Sequence, residues 1–133
     1  MKMGRLAMGL LYIGAGAMHF VLTRTYIRIM PPYLPAHREL VLISGAAEIA
    51  GGIGVLVPAT RRAAAWGIVA LLVAVFPANV TMLHEHHQFP QIPVWMLWAR
   101  LPLQAPLLLW AWAYTRRDVP PPPGISLPQS TLE

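Results

Sequence analysis

The chain has no cysteine. That excludes disulfides, thiolate metal sites and any thiol redox centre carried by the chain itself. Charge is also scarce. Charged residues are 11% of 133, against about 25% in a soluble domain. Only five residues are acidic, and ten are Lys or Arg, for a net charge of +5. The basic residues form no dense run, so no nucleic-acid partner is expected. Hydrophobic residues reach 56%, which excludes a disordered chain and argues against a soluble globule.

Long stretches lack charge altogether. Arg5 to Arg24 encloses 18 residues interrupted by His19, and Glu39 to Arg61 encloses 21 interrupted by Glu48. Arg62 to His84 encloses 21 with no interruption, and His87 to Arg116 encloses 28 interrupted by Arg100. A bilayer core needs roughly 20 apolar residues in a helix. Lipid offers the backbone no hydrogen bonds, so such runs must be helical. The expected fold is an all-α, integral membrane four-helix bundle of antiparallel, up-down topology. Its helices lie near residues 4–22, 40–58, 63–83 and 93–115 within a bundle over 1–117. An outer loop covers 23–39, and a Pro-rich disordered tail covers 118–133. The first block also has the outline of a signal peptide, with Lys2 and Arg5 before an apolar core. It is expected to be retained, because its removal would leave three helices.

Orientation follows from the cations. Lys2, Arg5, Arg61, Arg62, Arg116 and Arg117 fall on one side, and Arg24, Arg28 and Arg38 on the other. The richer side is expected to be cytoplasmic, with both termini, in a bacterial inner membrane. Trp95 and Trp98 near the outer end of the fourth helix, and Tyr114 near its inner end, fit aromatic belts. Small residues mark helix contacts: Gly14 to Ala17 in the first span, and Gly45, Ala46, Ala47, Gly51, Gly52 and Gly54 in the second. Pro77, Pro102 and Pro106 are expected to kink their helices. Pro31, Pro32 and Pro35 stiffen an apolar outer loop that lies in the interface or over the bundle mouth.

The polar residues fall in the outer half. His19 lies about a turn below the outer surface. At ~1.5 Å per residue, Glu48 is ~12 Å deep, Asn79 ~6 Å, Arg100 ~10 Å and Gln104 ~16 Å. Charge in hydrocarbon is costly, so Glu48 and Arg100 are expected to face inward and pair, directly or through Gln104, His19 and water. One reading is a structural ion pair that fixes helix register. The other is a ligand-binding pocket formed by His19, Glu48, Asn79, Arg100 and Gln104, open to the outer leaflet. Glu48 and His19 are also candidates for acid and base catalysis. His84, His86 and His87 are weak metal-ligand candidates, and a solvated cap at a helix C-terminus explains them more simply.

Several short motifs recur together. They are Gly14-Ala15-Gly16-Ala17-Met18-His19-Phe20, Pro31-Pro32-Tyr33-Leu34-Pro35 and Leu40-Val41-Leu42-Ile43-Ser44-Gly45-Ala46-Ala47-Glu48 with Gly51-Gly52. Arg61-Arg62-Ala63-Ala64-Ala65-Trp66-Gly67, Phe76-Pro77-Ala78-Asn79-Val80 and Arg100-Leu101-Pro102-Leu103-Gln104 follow. Over residues 5–115 the chain resembles the DoxX-like family of small four-helix bacterial membrane proteins. The resemblance implies a small subunit or accessory protein of a quinone-linked or oxidative-stress system. It implies a quinone as candidate ligand, and a partner redox protein or a homo-oligomer. That family is also similar to the bundle of vitamin K epoxide reductases, which work through cysteine pairs; with no cysteine here, their thiol mechanism does not carry over. The expected function is binding of a lipophilic small molecule in the outer-half pocket, with the bilayer as the other partner. The alternatives are a membrane enzyme using Glu48 and His19 on a lipid-soluble substrate, a metal-handling protein on the periplasmic side, and a purely structural subunit.

Overall fold

The computed structural model describes residues 2–116. The expected tail at 118–133 lies outside the described residues. Among the described residues the chain is all-helical. Four long helices, α1 (Lys2–Val21), α3 (His37–Leu56), α4 (Arg61–His84) and α5 (Val94–Ala113), are joined by a short α2 (Thr23–Arg28) and a 3-10 turn (His86–Gln88). The long helices start and stop within three residues of the sequence expectation. The 23–39 segment departs from it, because its first third is helical. Thr23 Oγ1 donates to the carbonyls of His19 at 2.8 Å and Phe20 at 2.9 Å, which carries the chain round from α1 into α2. The prolines stop helix formation only after that.

The boundaries have local causes. α3 ends at Val57, whose extended backbone (φ −86, ψ 120) is what a residue preceding a proline prefers. Thr60 Oγ1 then donates back to the Gly54 carbonyl at 2.9 Å, capping a carbonyl of the last turn. α5 starts directly after Pro93 (φ −59), a value fixed by the ring. α4 runs through Pro77 and α5 through Pro102 and Pro106. Thr81 Oγ1 donates to the Pro77 carbonyl at 3.0 Å.

Ala36, just before α3, sits in the left-handed region at φ 49, ψ 53. That conformation costs a non-glycine residue about 1–2 kcal/mol, and glycine returns part of the relief through its looser unfolded chain. Ala36→Gly is therefore expected to raise stability by about 0.5 kcal/mol, and Ala36→Val to lower it by more than about 1 kcal/mol. Thermal unfolding in detergent reads both. The reverse order would remove the left-handed assignment.

The closest seam is α1 on α3, built on two glycine pairs. A Cβ on Gly16 would lie 2.5 Å from the Gly45 carbonyl oxygen, and one on Gly52 would lie 2.7 Å from the Gly9 carbonyl oxygen. Backbones at that distance exclude any side chain. α3 meets α4 where Gly51 faces Ile68 and Gly54 faces Ala64. α4 packs along α5. α1 and α5 share no extensive contact, and come together where α1 begins and α5 ends. There Met8 and Tyr12 join Val55, Ile68 and Ala111 in one cluster. A second cluster, Met82, Phe89 and Leu97 with Ile29 packed on it, closes the opposite, loop-bearing end. Tyr33 ties that loop to α4 through a 3.3 Å hydrogen bond with Thr81.

Much of the apolar surface faces outward. Val21 is 74% exposed, Trp95 70%, Ile43 64% and Leu109 62%. Two helices, α3 and α4, are long and apolar enough to cross a membrane, and most of their residues are not buried within the protein. α1 and α5 fall short of that measure, where the sequence reading expected four spans. Lys2, Arg5 and four glycines dilute α1; Arg100, Gln104, two prolines and four tryptophans dilute α5.

Candidate functional site

The five polar residues chosen by depth do not form one cluster. They split into a pair on the α1–α3 seam, His19 and Glu48, and a group of three on the α4–α5 seam, Asn79, Arg100 and Gln104. On the α1–α3 seam, His19 Nδ1 lies 3.0 Å from the Val41 carbonyl oxygen. A carbonyl only accepts, so Nδ1 carries the proton. Nε2 then faces Glu48 Oε2 at 3.4 Å, with the two side chains 14% and 18% exposed. Gly45 makes room for this imidazole, because a Cβ there would sit 2.6 Å from His19 Cβ. Of the ways in which Glu48 and Arg100 were expected to pair, directly or through Gln104, His19 and water, the direct one does not form: Glu48 meets His19. Depth put the acid and the base at one level, but helix face decides the partner. Glu48 is three residues after Gly45 and four before Gly52, so it shares the face that α1 covers.

On the α4–α5 seam, Asn79 Nδ2 donates to Gln104 Oε1 at 3.2 Å. Gln104 Nε2 donates to the Leu72 carbonyl. Both amides are 8% exposed. One turn from Gln104, Arg100 is half-buried and points Nη1 at the Met82 sulfur, 3.9 Å away, a weak acceptor. Arg100 and the two amides line a groove of about 140 Å³, walled by Leu72, Val75, Leu103 and Leu107. On the other side of Leu72 and Gln104 a groove of about 350 Å³ runs past Val73, Phe76, Pro77 and Leu108.

Tyr26 stands between the pair and the group of three. Its ring lies against His19, centroids 4.1 Å apart and tilted by 31°. Burial pushes its hydroxyl above the usual tyrosine range; the charge of Glu48 adds to this, and Arg100 opposes it. It is close enough to feel both. The Tyr12 hydroxyl and Glu48 Oε2 are buried without a hydrogen-bond partner. The sequence reading missed Tyr12 and Tyr26. Part of the signal was present, since Tyr12 and His19 are seven apart on one face of α1; Tyr26 lies in α2, beyond the turn at Leu22.

The histidines at the loop end do not gather. His86 Nδ1 donates to the Leu83 carbonyl at 3.2 Å. The rings of His86 and His87 stand 6.2 Å apart at 81°. Among the described residues no group of three potential metal-ligating side chains forms. His84 and His86 instead line a groove of about 420 Å³ with Val80, Leu83, Val94 and Trp98.

Residues 8–115, most of the chain, match one family model, described as a domain of unknown function (DUF8561). No curated protein and no solved structure matches the chain.

Proposed function

The chain belongs to that family, and we propose that it is a multi-pass membrane protein that binds a lipophilic molecule in the α4–α5 groove, with an oxygen of the ligand held at Arg100. Membrane embedding draws support from the outward apolar surface, which water would penalise at about 25 cal/mol per Å². Trp95 and Trp98 at one end and Trp66 and Trp112 at the other are 45–70% exposed and sit where aromatic belts lie. Arg116 stacks over Trp112 at 4.5 Å. Lys2, Arg5, Arg61, Arg62 and Arg116 at the terminal end outnumber Arg24, Arg28 and Arg38 at the loop end. That bias supports cytoplasmic termini in a bacterial inner membrane, with the groove in the outer half.

The observation that carries the ligand reading is Arg100. It lies among leucines, beside two hydrogen-bonded amides, and its side-chain partner is a thioether. A groove of about 140 Å³ holds a head group, and leaves an attached chain to lie in the bilayer. The setting implied by the DoxX-like resemblance, a quinone-linked or oxidative-stress system with a partner redox protein, is part of this proposal. A quinone satisfies the chemistry, because its carbonyls accept from Arg100. A second reading, acid–base chemistry on a lipid-soluble substrate, draws on the His19–Glu48 contact at 3.4 Å.

The test is photolabelling of the full chain in detergent with an alkyl probe that carries a diazirine and a carbonyl head. Labels are expected at Leu72, Val75, Leu103 or Leu107, and are expected to fade in Gln104→Leu. Equal labelling of lipid-facing positions such as Val73 and Leu109 would show a non-specific apolar surface.

A further inference from the structure

We infer that the head group taken by the α4–α5 groove is an acid, a carboxylate or phosphate on a long apolar chain. This rests on the reading of the groove as a ligand site, and goes beyond it by assigning the charge of the ligand. Arginine stays protonated in a protein, so Arg100 brings a full positive charge among Leu72, Val75, Leu103 and Leu107. Among the described residues no carboxylate lies within ion-pair distance of it, and the acid the sequence offered it, Glu48, is engaged on the other seam.

That contact keeps Glu48 on the α1–α3 seam, where its Oε2 faces His19 Nε2 at 3.4 Å while His19 Nδ1 donates to the Val41 carbonyl. The positive charge of Arg100 therefore has no acid beside it among the described residues.

A neutral head leaves that imbalance in place, whereas an acid removes it. The donors fit the same conclusion. Asn79 and Gln104 are tied to each other and to the Leu72 carbonyl, which holds them as part of the groove wall. Guanidinium has five N–H donors in a planar fork, and one of them faces Met82. The remainder match two oxygens of a carboxylate or phosphate side by side.

The experiment measures binding of oleate, methyl oleate and oleyl alcohol to the full chain in a neutral detergent, by calorimetry. Oleate is expected to bind with one site and at least roughly tenfold more tightly than the other two, the difference that a single good charged contact makes. Arg100→Gln and Arg100→Met are each expected to bring oleate down to the level of its ester. If one variant fails to fold, the other and the three-ligand comparison in the natural chain still decide. Equal binding of all three ligands to the natural chain would overturn the acidic head and leave the ligand site standing. Binding of none would remove the site and the inference together. Competition with phosphatidylglycerol separates the sources: displacement of oleate assigns the acid to a lipid phosphate, and no displacement assigns it to a free carboxylate.

Discussion

Gly45→Leu is expected to abolish cooperative folding. A Cβ at this position would lie 2.6 Å from His19 Cβ and 2.9 Å from the Gly16 carbonyl oxygen. Both distances are below any that a real Cβ tolerates, and the oxygen belongs to backbone, so no rotamer change relieves it. The helices would have to separate along the most extensive seam in the protein. Overpacking a core that can adjust costs about 1–3 kcal/mol. Here the separation also removes the His19 bond to Val41 and the contact with Glu48, and it parts Gly9 from Gly52 one heptad away. Together these losses approach the whole stability of a small domain, about 5–15 kcal/mol. Gly14→Leu is the matched control, because nothing lies within 4 Å of a Cβ there. It is expected to be neutral or to stabilise by up to about 1 kcal/mol, since leucine outranks glycine in a helix. Thermal unfolding and size-exclusion profiles in detergent distinguish the two. Similar behaviour in both variants would show that the α1–α3 seam is not a glycine seam.

The length of each helix was legible because it depends on one property, the spacing between charges and prolines. Arg5, Glu39, Arg61, Arg62 and Arg116 bracket apolar runs, and the helices begin and end within a few residues of them. Pairing was not legible in the same way. Depth is a one-dimensional coordinate, and it assigns Glu48 and Arg100 a similar level, but partners are chosen by rotation about the helix axis. Rotation was encoded in the glycines. Gly9 and Gly16 in α1, and Gly45 and Gly52 in α3, repeat at seven residues, and a seven-residue repeat keeps one stripe against a partner. Glu48 falls on the α3 stripe and His19 lies three residues after Gly16, so the two belong to the same seam. Arg100 and Gln104 carry no such stripe and belong to α5. The splitting of one expected polar cluster into two seams is therefore a consequence of close backbone packing between α1 and α3.

The same argument makes the His19–Glu48 contact the second most sensitive point. Glu48→Leu leaves Nε2 of a mostly buried imidazole facing hydrocarbon. His19→Leu strands a mostly buried carboxyl and also removes the 3.0 Å bond to the Val41 carbonyl. Breaking one side of a buried pair costs about 3–5 kcal/mol. With the side chains 14% and 18% exposed, a figure nearer 2–3 kcal/mol is expected for Glu48→Leu, and about 1 kcal/mol more for His19→Leu because of the lost backbone bond. The double variant removes both polar groups at once, and it should cost less than the sum by at least about 1.5 kcal/mol. Glu48→Gln is the discriminating case. If the pair holds one proton, an amide N–H can point at Nε2 much as a protonated carboxyl would, and the cost should stay below about 1 kcal/mol. If Glu48 instead served as an unprotonated anion for a charge elsewhere, glutamine would fail as badly as leucine. Reversible unfolding of the four corners of the cycle, with the glutamine variant beside them, separates these outcomes. A coupling near zero would place His19 and Glu48 on the seam as independent neighbours, and Glu48 would again be free to offset Arg100.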